Sequence, residues 1–294
     1  MKNSTILCLV FMSMLSACQR QPHDHTLIIS VTNWIGYTPL FYAKEKGSLD
    51  LLDIKLINVV SLSENIHLYK AGNSDVFGGT QYELSLLRTD IPELVPIIIF
   101  DRSKGGDKVM SNLSIPELQS STGQIDTYLE MGSINIVILE NFIRKFNIDE
   151  SRINYIDIEQ SDTSSLNTTQ DSKPLIAVTY IPYDTKLKEN GFKELVSTKN
   201  GLELLVLGAI FTHKDELVAH KTQFQALKGL VDEALLALKD NPKEYYETIK
   251  PYFEGMTYQE FLTQLNDIEW INNNLEQSLK VSLEESSFSI KELL

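Results

Sequence analysis

Apolar and polar residues change rhythm repeatedly along this chain, and the changes mark out its elements. Four short runs rich in β-branched and other apolar residues, "TLIISVT" (26–32), "DIKLINVV" (53–60), "DVFGGT" (75–80) and "ELVPIIIF" (93–100), have the composition of strands. Stretches of mixed polarity separate them, "TPLFYAKEKG" (38–47), "SENIHLYKAG" (63–72) and "QYELSLLRT" (81–89), and these predict helices. The first is punctuated at both ends. Thr38 suits the N-cap, Pro39 the first helical position and Gly47 a left-handed stop. A β-α-β-α-β-α-β order predicts a parallel sheet covered by helices.

The rhythm restarts near "SIPELQ" (114–119). Strands are predicted at 123–128, 152–158, 174–180 and 193–198, and a short helix at 182–191. Between 133 and 149, apolar residues at 134, 137, 138, 142 and 146 give one apolar helical face. Residues 161–173 read as a polar loop region, and the apolar run 202–211 crosses between the two units. From 214 onward the pattern is helical, at 222–241, 242–253 and 257–268, with Trp270 in the same helical tail. The expected architecture is α/β with two lobes. Residues 27–107 form the first, 108–203 an inserted second, and 204–294 return to the first and add C-terminal helices.

Composition changes this picture little. The 294 residues are 43% hydrophobic and 22% charged, a globular balance. A formal charge of −14 disfavours nucleic acid, which needs a basic surface. The first residues belong to a different class. "MKNSTILCLVFMSMLSAC" has Lys2, an apolar run from Ile6 to Leu15, and then small residues. That is the layout of an export signal (1–17), too short to span a membrane. Its ending, Leu15-Ser16-Ala17-Cys18, resembles a bacterial lipobox, so Cys18 is the expected lipidation site, with 18–26 as a tether. Cys8, the only other cysteine, falls in the discarded signal, which leaves no thiol for a disulfide, a metal or a nucleophile. Acyl chains, at about 0.8 kcal/mol per buried CH₂, anchor such a residue stably. Gln19 after the cysteine points to the outer membrane by analogy with enteric bacteria.

Ligands of open α/β sheets bind beyond the carboxyl ends of strands. After the first strand come Asn33, Trp34, Tyr37 and Thr38; after the third, Thr80, Gln81 and Glu83; after the fourth, Asp101, Ser103 and Asp107. In the second unit Gly132 and Ser133 precede the long helix, and Tyr180, Tyr183 and Asp184 follow a strand. Aromatics, hydroxyls and carboxylates thus collect at one edge. Thr80 and Glu83 also form T-x-x-E, so Glu83 either meets a ligand or only closes a capping box. Asp101 and Asp107 flank glycines and either face the cleft or shape a turn. His67, His213 and His220 are too scattered for a metal site, and no cofactor or metal is expected. "GGT" lacks the lysine and spacing of a phosphate loop.

Taken in order, "WIGYTPLFYAKEKGSL", "DVFGGTQYEL", "FDRSKGGD", "SIPELQ…GQI…EMGS" and "IAVTYIPYDTKLKENGFKELVST" resemble the periplasmic solute-binding proteins of ABC transporters in the nitrate, sulfonate, taurine and thiamine-pyrimidine-precursor group. The resemblance spans roughly residues 27 to 240. It implies a type II periplasmic-binding-protein fold, with two α/β lobes on a two-stranded hinge closing around one small molecule. It also implies cleft-facing positions for Trp34, Tyr37, Thr80, Glu83, Asp101, Ser103, Asp107, Ser133, Tyr180 and Tyr183. "ELQSSTGQ" departs from the family's usual "DLKGK", outside the cleft. The cysteine-rich motif of the related fungal pyrimidine synthases is missing, which argues against that synthase activity.

The expected function is therefore a monomeric, lipid-anchored solute-binding protein on the periplasmic side that delivers a small molecule to an ABC permease. A ligand sensor docking on a membrane kinase or cyclic-dinucleotide enzyme uses the same cleft. An enzyme working through the cleft carboxylates would need a poised acid–base pair, and none is evident. Among the cleft candidates, Glu83, Asp101, Asp107 and Asp184 outnumber the nearby bases Arg102 and Lys104. A neutral or cationic nitrogen compound, such as an amine or a pyrimidine, is therefore favoured. Sulfonate, taurine or nitrate remains open, because helix N-termini at Thr38, Thr80 and Ser133 hold anions without a lysine.

Overall fold

The computed structural model describes residues 26–168, 173–272, 275–285 and 288–294. The signal, Cys18 and all of the tether but Thr26 lie outside the described residues. Two sheets organise the rest. The first has the order β11-β4-β10-β3-β1-β2, from β1 (Leu27–Thr32), β2 (Ile54–Val59), β3 (Val76–Gly79), β4 (Leu94–Ser103), β10 (Leu207–His213) and β11 (Ile268–Trp270). The second has the order β7-β6-β8-β5-β9, from β5 (Asp107–Ser111), β6 (Ile125–Leu129), β7 (Ile153–Asp157), β8 (Leu175–Tyr180) and β9 (Lys193–Ser197). This is the two-lobed type II arrangement of periplasmic binding proteins.

Helices cover both sheets. In the first lobe these are α1 (Thr38–Glu45), α2 (Leu62–Lys70) and α3 (Gln81–Arg88). The second lobe carries α4 (Ile115–Ser120), α5 (Ile134–Lys145), α6 (Gln160–Thr163) and α7 (Asp184–Glu189). The chain then returns through α8 (Lys214–Ala219), α9 (Lys221–Asp240), α10 (Pro242–Ile249), α11 (Tyr258–Gln264) and α12 (Gln277–Glu285). Burial follows sheet position. Central β8 is buried throughout, as a strand covered on both faces must be, whereas edge strand β7 buries only Ile153 fully.

Three expectations change. The first sheet is mixed, not parallel: β1 pairs in parallel with β2 and β3, but β10 inserts antiparallel between β3 and β4. Asp101 and Asp107 do not shape a turn; Asp101 lies inside β4 and Asp107 opens β5. The helix predicted to 268 stops at Gln264, and Trp270 sits in β11, paired opposite Asp101. The apolar patterns at these places are short, and which edge a short strand joins is decided by distant partners.

The chain passes between lobes at 104–106 and at 198–206, and the two passages are tied together. The Ser103 amide donates to the Val206 carbonyl at 2.9 Å, and the Gly105 amide to Thr198 Oγ1 at 2.8 Å. The Ser103 and Thr198 hydroxyls lie 2.7 Å apart. Gly105 has φ +125°, a conformation that favours glycine.

Candidate functional site

Trp34 follows β1 and is only 8% exposed. Its indole N–H lies 3.1 Å from both Asp101 carboxylate oxygens. Its ring meets Tyr180 of the second lobe edge-on, 6.0 Å between centroids. Three glycines make room for this: a Cβ on Gly36 or Gly208 would run into the Asp101 carboxylate, and one on Gly106 into the indole. The aromatic pair in the first turn therefore does two jobs. Tyr37 is packed inside the first lobe, edge-on to Phe100, with its hydroxyl 3.1 Å from the carbonyls of Gly79 and Ala209. Trp34 reaches across to the other lobe.

A cavity of about 30 Å³ lies where the lobes meet, lined by Thr32, Trp34, Tyr37, Leu62, Thr80, Asp107, Ile134, Tyr180, Val206 and Gly208. Five of the expected site residues thus share it: Trp34, Tyr37, Thr80, Asp107 and Tyr180. Two polar atoms among them, Asp107 Oδ2 and the Tyr180 hydroxyl, are buried without a hydrogen-bond partner. No lysine, arginine or histidine lines the cavity.

Glu83 closes the capping box that its sequence context allowed, and it also holds an amide of the opposite lobe. One carboxylate oxygen closes the capping box, accepting from the Thr80 amide at 2.7 Å and hydroxyl at 2.5 Å. The other accepts from the Ile134 amide, at the N-terminus of α5 in the opposite lobe, at 2.7 Å. The second lobe answers in kind. Glu130, after β6, accepts from the Ser63 amide at the N-terminus of α2 at 2.7 Å, and its other oxygen is buried without a partner.

None of these buried acids is in an ion pair among the described residues, although Lys108 pulls Asp107 down from a distance, and burial raises the affinity of all four for protons. Burial pushes Asp101 up to about 7, against the Trp34 N–H, with Asp107 adding to the rise. Burial lifts Glu130 to about 7, with Glu83 adding. Asp107 is raised to about 6 by burial and then by Glu83, against the Ser103 hydroxyl. Burial also raises Glu83, held back by the Thr80 and Ile134 donors.

Other expected residues lie elsewhere. Thr38 does not cap α1; it follows a 3₁₀ turn at Ile35–Tyr37, donates to the Ile35 carbonyl at 2.9 Å and accepts from Tyr245 at 3.2 Å. The α1 N-terminus therefore has no side-chain cap there. Asp184 is engaged by Lys108 at 2.6 Å and Lys188 at 2.7 Å. Gln81 bonds the Leu205 carbonyl and the Leu207 amide, bracing the return passage. Asn33 and Tyr183 line a separate, wider groove of about 650 Å³ against Phe253 and Gly255. Ser133 caps α5 through the Asn135 amide at 3.2 Å, with Gly132 at φ +76° before it. Ser103 serves the interlobe passages. Arg102 and Lys104, the expected nearby bases, both pair with Glu269.

Glu130 was not among the expected residues. It stands two positions before Gly132, directly after β6, so the same strand-end rule, applied from the first residue after the strand, finds it. Among the described residues, no group of three or more His, Cys, Asp or Glu is placed to hold a metal ion.

No protein-family model and no curated protein matches this sequence. Solved structures do match in fold. The ligand-binding component of an ABC-type import system from Staphylococcus aureus, described with zinc bound, is 10% identical with a TM-score of 0.67, covering 90% of this chain and 91% of that one. The alkanesulfonate-binding protein SsuA from Xanthomonas axonopodis pv. citri, bound to MOPS, is 12% identical with a TM-score of 0.66, over 91% and 95% of the two chains. The periplasmic nitrate-binding protein NrtA from Synechocystis PCC 6803 is 12% identical with a TM-score of 0.62, over 81% and 69%. The group suspected from the sequence and the fold shared with these proteins agree.

Proposed function

We propose that this chain is an extracytoplasmic solute-binding protein that captures a small nitrogen-containing molecule, neutral or cationic, between its lobes and delivers it to an ABC permease. The observation that carries the reading is the interlobe cavity, where Asp107 Oδ2 and the Tyr180 hydroxyl are buried without partners. A buried polar atom left unpaired is costly, so it marks a place where a further group is accommodated. The fold shared with ABC import components supports delivery to a permease.

The lipid anchor belongs to the same reading. Cys18 tethers the protein to the periplasmic face of the outer membrane, and the chain works as a monomer. No described helix is long and apolar enough to cross a membrane. Two experiments test the reading. Deleting the gene should abolish uptake of the solute that raises the purified protein's melting temperature; unchanged uptake with intact binding would favour a sensor role. Cys18→Ser should move the protein to the soluble fraction without changing its melting temperature. Retention of that variant in membranes would rule out lipidation there.

A further inference from the structure

Helix N-termini attract anions, because unpaired amides and the helix dipole point outward there. At this lobe junction two such termini are occupied by the protein itself. Glu83 of the first lobe sits on α5 of the second, and Glu130 of the second sits on α2 of the first. The arrangement is reciprocal, and both helices are long enough, at 12 and 9 residues, for the effect to be substantial. An anion entering between the lobes would have to displace a carboxylate. It would also join Asp101 and Asp107, both buried and without a basic partner. The nearest lysine along the chain, Lys108, is held by Asp184 and Asp267 on other partners.

A cation meets the opposite situation. Asp107 Oδ2 and the Tyr180 hydroxyl offer two buried acceptors, and the aromatic residues Trp34, Tyr37 and Tyr180 line the cavity. The void of about 30 Å³ exceeds the roughly 10–15 Å³ that one water needs, so it has room for a head group of ammonium size. Burial has already driven the proton affinity of these acids upward, and a bound cation replaces the proton that burial favours.

We propose that the interlobe cavity receives the ammonium group of a small organic amine, met by Asp107 and Tyr180, while Glu83 and Glu130 exclude anions by occupying the opposite lobe's helix N-termini. This rests on the solute-binding reading and narrows it to cations, setting the site apart from the sulfonate and nitrate named for its structural neighbours.

The test is isothermal titration at pH 8, backed by thermal shift, with ethylammonium, ethanolamine and putrescine as cations, ethanesulfonate and nitrate as anions, and uracil as a neutral solute. Amines should bind at least tenfold more tightly than ethanesulfonate, the anionic counterpart of ethylammonium. Asp107→Asn, which keeps shape and removes charge, should weaken the amines more than tenfold, and Tyr180→Phe by a few-fold. Glu130→Gln should narrow the preference for amine over ethanesulfonate. Binding of anions or uracil with no response to amines overturns the cation assignment and leaves solute capture standing. Unchanged amine affinity in Asp107→Asn also overturns it. If none of the probes shifts the wild-type melting temperature, both readings fail together.

Discussion

Two clusters of buried acids lie within one strand of each other and are treated in opposite ways. On one side of β5, Asp184 and Lys108, each 2% exposed, form an ion pair at 2.6 Å; Lys188 adds a second cation and Asp267 a second carboxylate. On the other, Asp107, Asp101, Glu83 and Glu130 are just as buried but have only amides, hydroxyls and an indole for company. Neighbouring residues in a strand point to opposite faces, so Asp107 and Lys108 serve different neighbourhoods despite being adjacent. The paired cluster is stabilised by its own charges. The unpaired one is held in tension by burial, and a protein keeps such tension where an outside group relieves it.

The largest test breaks the paired cluster. Lys108→Ala removes the buried cation, breaking the Asp267 pair and leaving Asp184 only the half-exposed Lys188, and should destabilise the protein by about 2–4 kcal/mol, read from denaturant unfolding. Replacing both charges, Lys108→Met with Asp184→Leu, should recover most of that loss. If the single variant costs less than about 1 kcal/mol, the two clusters do not differ in the way described.

The next test concerns pH. Asp101, Glu130 and Asp107 have folded-state values raised to about 7, 7 and 6, whereas unfolded carboxyls titrate near 4. Between about pH 4 and 7 the folded state therefore holds more protons than the unfolded state, so these groups make stability fall as pH rises. Their stabilisation is fully present below the unfolded values and lost through the folded ones. Asp107→Asn should flatten this slope and raise stability at pH 8 by about 1–3 kcal/mol, while changing little at pH 4. A melting temperature that climbs from pH 5 to 8 in the wild type would contradict the assignment. A bound amine should reduce the slope as the substitution does.

A smaller effect is expected at the indole. Trp34→Phe keeps a ring against Tyr180 but removes the N–H from Asp101, and should cost about 1–2 kcal/mol at pH 8 and less at pH 5, where Asp101 is protonated. Equal loss at both pH values would show that packing alone explains the tryptophan. The smallest effect belongs to Trp270, half-buried on the edge strand β11. Trp270→Phe should change stability by no more than about 1 kcal/mol and leave any solute-induced fluorescence change intact. Loss of that signal would move the reporter away from Trp34.

Much of this was legible in the chain itself. Strand runs such as 26–32 and 174–180, the helix punctuation at Pro39 and Gly47, and the T-x-x-E box at Thr80 are local features, set by side-chain periodicity, backbone preference and hydrogen bonds within a few residues. They located two α/β units and brought Trp34, Tyr37, Thr80, Asp107 and Tyr180 forward as cleft residues. What the chain could not disclose depends on partners far along it. Thr38 lost its capping role because a 3₁₀ turn precedes it and Tyr245, in α10, takes its hydroxyl. Trp270 became part of a strand because β4 offers an edge. Asp184, which local reading grouped with the cleft acids, was claimed by Lys108 76 positions earlier. Glu83 and Glu130 acquired their meaning only when two helix N-termini from opposite lobes came to face them. Sequence periodicity states which way a side chain points from its own element; only the packing of one element on another decides what charge, amide or ring it meets there.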